Sequence, residues 1–222
     1  MLSALAHRLV PAFGPLTVTT DAADGSGPGP GTIVAANHTS LFDPAVVLAA
    51  LRRLGVDPVV MATAGLWRIP VLGSALAREG HVPVHRRTVH AGDSLNGARA
   101  ALDAGRCVLI YGEGGLPARR DSGEAAPERF RYGIARLARE SGAQVVPLGQ
   151  VGARRVTSGG AGKQLAGVLT SPVRRPALHV HVGTPVTLTG DPATAAEQAR
   201  RAVTAAWRTA VERSGAAVHP SV

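Results

Sequence analysis

Two side chains that could exchange a proton lie close together in residues 37–44, which read NHTSLFDP. His38 precedes Asp43 by five positions, and Pro44 follows the aspartate. A carboxylate on one ring nitrogen of a histidine fixes the tautomer and leaves the other nitrogen to take a proton from a hydroxyl group. The segment therefore predicts a general base, His38, supported by the Asp43 carboxylate.

The two side chains meet only if the chain bends between them. On a continuous helix, five residues turn through about 500°, which leaves the side chains roughly 140° apart. A strand that ends near Asn37 and a helix that starts at Pro44 would supply the bend, with Asp43 as the N-cap of that helix. A purely structural interpretation also fits, in which Asp43 only caps the helix and His38 only ends a strand.

The order of short apolar runs and helical patterns predicts a single α/β domain, over residues 16–213. Apolar residues make up 45% of the chain, which is enough to build a core. We predict strands at 16–20, 32–37, 58–64, 81–85, 106–112, 143–150 and 177–183. We predict helices at 44–54, 72–78, 93–104, 130–140 and 192–213.

Three segments lie outside this alternation. Residues 1–15 predict a short amphipathic helix ending at Pro11, which either packs on the domain or contacts a membrane surface. Residues 152–176 are basic and rich in glycine, and they predict a long loop. Residues 214–222 predict a disordered tail. The apolar runs are far shorter than the roughly 18 residues that a membrane-spanning helix needs.

The charge and the cysteine content limit the classes of partner. The net charge is +9, and 23 of the 24 basic residues are arginine, which suits contacts to phosphate groups. Aromatic residues make up only 3% of the chain, which argues against a base-stacking surface of the kind that binds single strands, and we expect no nucleic-acid partner. The single cysteine, Cys107, excludes disulfides and cysteine-based metal sites, and it favours the cytoplasm. We expect no metal site.

Beyond the first segment, the sequence resembles the glycerolipid acyltransferase family, which includes the 1-acylglycerol-3-phosphate acyltransferases. Residues 37–44 resemble the family's N-H-x-x-x-x-D block, and residues 65–86 resemble its L-x-x-I-P-x-x-G block with the strand that follows. Residues 108–115, VLIYGEGG, resemble its F-P-E-G-T-R block. Residues 129–138 and 144–152 resemble its F-K-x-G helix start and its V-P-V strand. The blocks occur in the family's order and cover most of the chain.

The resemblance implies a fold like that of glycerol-3-phosphate acyltransferase, with a mixed, mostly parallel sheet flanked by helices. It implies transfer of a fatty acyl group from an acyl-CoA or an acyl carrier protein to a hydroxyl of a lysophospholipid, as in the conversion of 1-acylglycerol-3-phosphate to phosphatidic acid. His38 would take the proton from the hydroxyl, with Asp43 supporting it. No covalent enzyme intermediate, metal or cofactor is implied. A lipid acceptor suggests a cytoplasmic protein at the inner face of the plasma membrane.

The resemblance also implies which residues hold the substrates. The acceptor would be held by polar, glycine and arginine residues of the matching blocks and of a neighbouring loop: Asn37, Arg86, Glu113, Gly114, Arg119, Arg120 and Arg131. The candidate contacts for the acyl chain or the membrane are Leu66, Trp67 and Ile69, together with residues 152–176. The chain departs from the family at Leu116, where the third block has an arginine, so Arg119, Arg120 or Arg131 would have to replace it.

This departure leaves two alternatives open. The first is the same chemistry on a hydroxyl without a phosphate, in a specialised lipid or natural product. The second belongs to another class, a non-catalytic lipid-binding protein that keeps the fold.

Overall fold

The computed structural model describes residues 1–85, 91–117 and 121–215. Predictions for Arg86, Arg119, Arg120 and residues 216–222 of the tail lie outside these ranges. The strands are β1 (Leu16–Thr20), β2 (Ile33–Ala36), β3 (Val59–Thr63), β4 (Val82–Val84), β5 (Val108–Tyr111), β6 (Val145–Val151) and β7 (Leu178–Val182). The helices are α1 (Leu2–Phe13), α2 (Asp43–Arg53), α3 (Leu72–Arg78), α4 (Ala91–Asp103), α5 (Gly133–Ser141), α6 (Ala161–Arg174) and α7 (Pro192–Ser214).

The strands form one sheet in the order β1-β7-β6-β2-β5-β3-β4. β6 and β7 run antiparallel, and the other neighbouring pairs run parallel. Each predicted strand forms, which confirms the predicted α/β domain with a mixed, mostly parallel sheet. β2 lies at the centre, between β5 and β6.

The core lies on both faces of this sheet. All four residues of β2 are fully buried, as expected for a central strand covered on both sides. Val34 and Ala36 pack on the side of α1 and α2, whereas Ile33 and Ala35 pack on the side of α4, α5 and α7. The period-two alternation of a strand divides its side chains between the two layers.

The prediction of a loop over residues 152–176 is wrong, because much of this segment forms α6. Gly167 is required inside the helix, since a Cβ there would lie 2.2 Å from the carbonyl oxygen of Val156. Pro172 has no N–H to donate to the carbonyl of Val168, one turn earlier in the helix. The Ser171 hydroxyl donates to that carbonyl instead, so the proline is tolerated. Glycine and proline therefore serve close packing here rather than a loop.

Helix α1 extends to Phe13, two residues beyond the predicted end at Pro11. Proline in the last turn removes one backbone donor without interrupting the helix. The chain then turns at Gly14, where a Cβ would lie 2.0 Å from the carbonyl oxygen of Pro176. Within the described residues, no helix is long and apolar enough to cross a membrane.

Candidate active site

The candidate site forms where the carboxyl ends of three neighbouring strands meet. β5, β2 and β6 are adjacent and parallel, so the segments that follow them leave the sheet at the same edge. His38 follows β2, Glu113 follows β5, and Arg154 follows β6. This edge is the usual location of a binding site in an open α/β sheet.

His38 and Asp43 meet as the sequence predicts. The Nδ1 atom of His38 lies 3.0 Å from Oδ2 of Asp43. The imidazole is 16% exposed and the carboxylate is fully buried, so the pair is open to a substrate from the histidine side only. The same Oδ2 atom accepts hydrogen bonds from the backbone N–H groups of Thr39 and Ser40. These bonds hold the carboxylate and the histidine loop in one arrangement.

The predicted N-cap at Asp43 is wrong. Helix α2 begins at Asp43, Phe42 occupies the cap position, and no side chain caps the helix. The carboxylate turns back toward the preceding loop, where the N–H groups of Thr39 and Ser40 and the His38 ring are its donors. The bend between strand and helix was predicted correctly, but the carboxylate stabilises the loop rather than the first turn of the helix.

Tyr111 supports the histidine ring from the end of β5. The two rings stack with their centroids 4.3 Å apart and an interplanar angle of 28°. The Tyr111 hydroxyl is buried and has no hydrogen-bond partner among the described residues. Burial, followed by the charge of Asp43, raises the pKa of Tyr111 well above its usual value, so the phenol stays neutral.

Glu113 binds the backbone on which His38 is carried. Its Oε2 atom accepts from the His38 N–H at 2.6 Å, and its Oε1 atom accepts from the Glu128 N–H at 2.9 Å. Burial raises the pKa of Glu113 to about 8, against the opposing effect of these two donors. Glu113 was predicted to hold the acceptor, and its contact with the His38 N–H gives it a second role, in positioning His38.

The raised pKa of Glu113 predicts a pH-dependent stability. Between the ordinary pKa of 4.5 and about 8 the folded state holds a proton that the unfolded state has released, so stability falls as pH rises. Over this window we expect the wild type to lose a few kcal/mol relative to Glu113→Gln, since one pKa unit corresponds to about 1.4 kcal/mol. Urea unfolding of both proteins at several pH values measures the difference. If the free energies of unfolding of the two proteins change with pH in the same way, Glu113 is ionised in the folded state over the whole range.

Arg154 is a site residue that the sequence analysis missed. The side chain is buried, and its Nη1 donates to the carbonyl of Thr39 at 2.7 Å while its Nη2 donates to the carbonyl of Asp121. The Ser40 hydroxyl also bonds to Thr157, in the segment that follows β6. The loop that carries His38 is therefore held from the β6 side as well as by Glu113. The position of Arg154, just after a predicted strand, was the available signal.

A second buried carboxylate binds the turn that follows β6. Glu124 is buried, and its Oε1 accepts from the N–H of Gly152 at 2.8 Å. Burial raises the pKa of Glu124 to about 7, and the neighbouring Arg154 opposes this rise. The bond to Gly152 stabilises the turn after β6, the turn from which Arg154 reaches the loop of His38.

Asn37 is placed differently from the prediction of a substrate contact. Its side chain is fully buried, its Nδ2 donates to the carbonyl of Gln150 at 3.0 Å, and its Oδ1 accepts from the N–H of Gln150 at 2.8 Å. This pair of bonds ties the end of β2 to β6. The burial of Asn37 and its two bonds to Gln150 favour a structural role for this residue.

Arg131 lies against the third sequence block. Its N–H donates to the carbonyl of Gly112 at 2.8 Å, and its Cγ lies 3.0 Å from where a Cβ of Gly114 would stand. Gly114 has a φ of 71°, which favours glycine. Leu116 is 42% exposed at the position of the family's arginine. Of the three arginines predicted to replace it, Arg131 is the one within the described residues, and it is close to the block.

The predicted acyl-contact residues follow β3 at the same edge of the sheet. Leu66 and Trp67 are half-buried in a short 3₁₀ turn, and Ile69 is 46% exposed. A Cβ at Gly73 would lie 2.2 Å from the carbonyl oxygen of Trp67, which explains the glycine of this block. The turn and the start of α3 thus form one packed unit that presents apolar side chains at this edge of the sheet.

Comparison with known proteins defines the class of the molecule. The family model described as Acyltransferase matches residues 18–151, which carry His38, Asp43 and Glu113. The chain belongs to the acyltransferase family.

The fold is similar to that of a solved structure, the 1-acyl-sn-glycerophosphate (LPA) acyltransferase PlsC from Thermotoga maritima. The TM-score is 0.67 at 18% sequence identity, with 98% of this chain and 80% of that chain covered. No curated protein sequence matches the chain.

Proposed function

We propose that this acyltransferase moves a fatty acyl group from a thioester to the free hydroxyl of 1-acylglycerol-3-phosphate, giving phosphatidic acid. The observation that carries the proposal is the 3.0 Å contact between His38 Nδ1 and the buried Asp43 carboxylate, at the sheet edge where a ligand would bind. Similarity of fold to an LPA acyltransferase supports the choice of acceptor.

The chemistry follows from the arrangement of the pair. With Nδ1–H donated to Asp43, the Nε2 atom of His38 accepts the proton of the acceptor hydroxyl as its oxygen attacks the thioester carbonyl. The Asp43 carboxylate stabilises the imidazolium that forms. When the carbonyl re-forms, the C–S bond breaks and the imidazolium returns its proton to the leaving thiolate. The thiol and the new oxygen ester are the products.

The acceptor phosphate needs cations beside this pair. Arg131, next to Gly114, supplies one, and we propose that Arg86, Arg119 and Arg120 supply the others. The donor is an acyl-CoA or an acyl carrier protein, and no cofactor takes part in the proposed reaction. Because the acceptor is a membrane lipid, the protein is proposed to act as a peripheral protein at the inner face of the plasma membrane.

A second acceptor class is favoured by one observation. Leu116 stands where the family's third block has an arginine, and an apolar side chain there would suit a hydroxyl without a phosphate. Transfer to such a hydroxyl in a specialised lipid is the second candidate. A lipid-binding protein without activity is the third.

Release of free thiol from palmitoyl-CoA separates these candidates. We expect release that depends on the acceptor, with 1-acylglycerol-3-phosphate preferred over monoacylglycerol by at least tenfold in kcat/KM, about 1.4 kcal/mol of added transition-state binding. Preference for monoacylglycerol would favour the second candidate. If no acceptor raises thiol release, with either the CoA or the carrier-protein donor, the proposed function is wrong.

A further inference from the structure

Helix α6 is amphipathic, but its aliphatic side chains face outward and its small and polar side chains face the protein, the opposite of a helix that packs on a core. The residues that face the protein are small or polar, with Gln164, Gly167 and Ser171 beside a single aliphatic side chain, Val168. The opposite face carries Leu165, Leu169 and Val173, which are 62%, 68% and 86% exposed. A spacing of four residues aligns these three side chains in one row. The row is an exposed aliphatic surface without a partner among the described residues.

The charged residues in the sequence segments that contain α6 and α1 are of one sign. Residues 141–190, which include α6, contain no aspartate or glutamate, and neither do residues 1–20, which include α1. Lys163, Arg174 and Arg175 lie on or at the end of α6, and Arg8 lies on α1. The guanidinium of Arg174 donates to uncharged oxygens of Thr170, Arg155 and Gly167, which leaves its charge uncompensated by these contacts. An anionic surface fits this distribution.

Helix α6 is directly connected to the candidate active site. Thr157, which bonds to Ser40 in the histidine loop, precedes the first residue of α6 by four positions. At its other end α6 meets α1, where Arg175 Nη2 donates to the carbonyl of Pro11. α1 adds Leu5 and Leu9, each 51% exposed. A surface that seats α6 would therefore lie close to the proton-accepting histidine.

We propose that α6 lies in the interface of an anionic lipid bilayer, with Leu165, Leu169 and Val173 inserted among the acyl chains and the flanking cations on the headgroups. An aliphatic row bordered by lysine and arginine is the pattern of a helix that lies in the plane of a membrane. The inference concerns a surface distinct from the His38–Asp43 pair, and it gives the lipid acceptor a short route to that pair.

Binding of the purified full-length chain to vesicles tests the proposal without any substrate, so its outcome is independent of the proposed reaction. The wild type is expected to sediment with vesicles of mixed phosphatidylcholine and phosphatidylglycerol. The double variant Leu165→Gln and Leu169→Gln should lower the partition coefficient at least tenfold, because the apolar contact is lost while glutamine keeps helix propensity. Its melting temperature should stay that of the wild type, since both side chains face solvent.

The cations are tested with a matched pair of variants. Lys163→Gln with Arg175→Gln should weaken binding to the anionic vesicles by about fivefold per charge. Arg139→Gln with Arg208→Gln removes the same charge from α5 and α7, on the opposite face of the sheet, and should leave binding close to that of the wild type. Equal losses for the two pairs would show that net charge alone is responsible, and the proposal would be wrong.

Three further results would overturn the proposal. Wild-type binding by the α6 leucine variant would show that the row does not insert, and a Leu5→Gln and Leu9→Gln variant would then show whether α1 does. A lowered melting temperature of the α6 variant would show that another part of the chain covers the row. The α6 leucine variant could also bind vesicles normally and keep transfer from acyl-CoA but lose transfer from an acyl carrier protein. That result would make the row a docking surface for the carrier protein.

Discussion

Replacement of His38 by alanine is expected to lower kcat for acyl transfer by about 10²- to 10⁴-fold, the usual contribution of a positioned general base. The His38 ring is the group that leaves a nitrogen free for the acceptor hydroxyl once Nδ1 is bound to Asp43. KM for the thioester should change little, because the base acts in the transition state rather than in binding. Thiol release at saturating acceptor measures the loss.

Added imidazole distinguishes loss of the base from loss of structure. In His38→Ala the face of Tyr111 on which the ring stacks is uncovered, and free imidazole can occupy that place. The rate should then rise with imidazole concentration and with its unprotonated fraction. A variant that keeps wild-type kcat without imidazole would remove His38 from the reaction and leave it a structural residue.

The sheet could be predicted from the sequence because its strands are short apolar runs between clear breaks. β2 is buried on both faces and lacks polar residues, so its pattern has one interpretation. The order of the strands was not contained in these local patterns. That order places β6 next to β2 and brings Arg154 to the carbonyl of Thr39 across 115 residues of chain. The contact that positions the histidine loop from this side could not be read from local periodicity.

Helix α6 was missed for a different physical reason. Helix prediction assumes that the apolar row faces the core, and in α6 the row faces outward while a glycine and a serine face inward. The close approach of Gly167 to Val156 makes glycine a packing residue at a position where it was taken as a loop signal. A segment that violates the usual pattern is a candidate for function, and here it borders the site.

The meeting of His38 and Asp43 was predicted because a bend between a strand end and Pro44 allows little else. The role of the Asp43 carboxylate could not be predicted in the same way, since asparagine, serine and aspartate are about equally good helix caps and the sequence does not distinguish a cap from another role. The loop determines where the carboxylate lies, because the buried N–H groups of Thr39 and Ser40 need an acceptor and both donate to Oδ2 of Asp43. Asp43 thus organises the loop and is at the same time the hydrogen-bond partner of the His38 ring.

The substitution Asp43→Asn separates these two roles. The amide oxygen can replace Oδ2 and accept from Thr39, Ser40 and the His38 ring, so the loop and the tautomer are retained. The negative charge that stabilises the imidazolium is lost. We expect kcat to fall by about 10²- to 10³-fold, the usual cost of removing one preorganised electrostatic group. The free energy of unfolding should stay within about 1 kcal/mol of the wild type, because the hydrogen bonds persist.

Asp43→Ala is the matched control, because it removes the acceptor as well as the charge. Two buried N–H groups then lose their partner, and we expect the free energy of unfolding to fall by about 2 kcal/mol or more. If Asp43→Asn keeps the wild-type kcat while Asp43→Ala is unstable, the carboxylate only organises the loop. If Asp43→Asn loses rate at unchanged stability, its charge acts on His38 in the reaction. Together, the two variants measure the effect of the Asp43 charge through kcat and the effect of its hydrogen bonds through the free energy of unfolding.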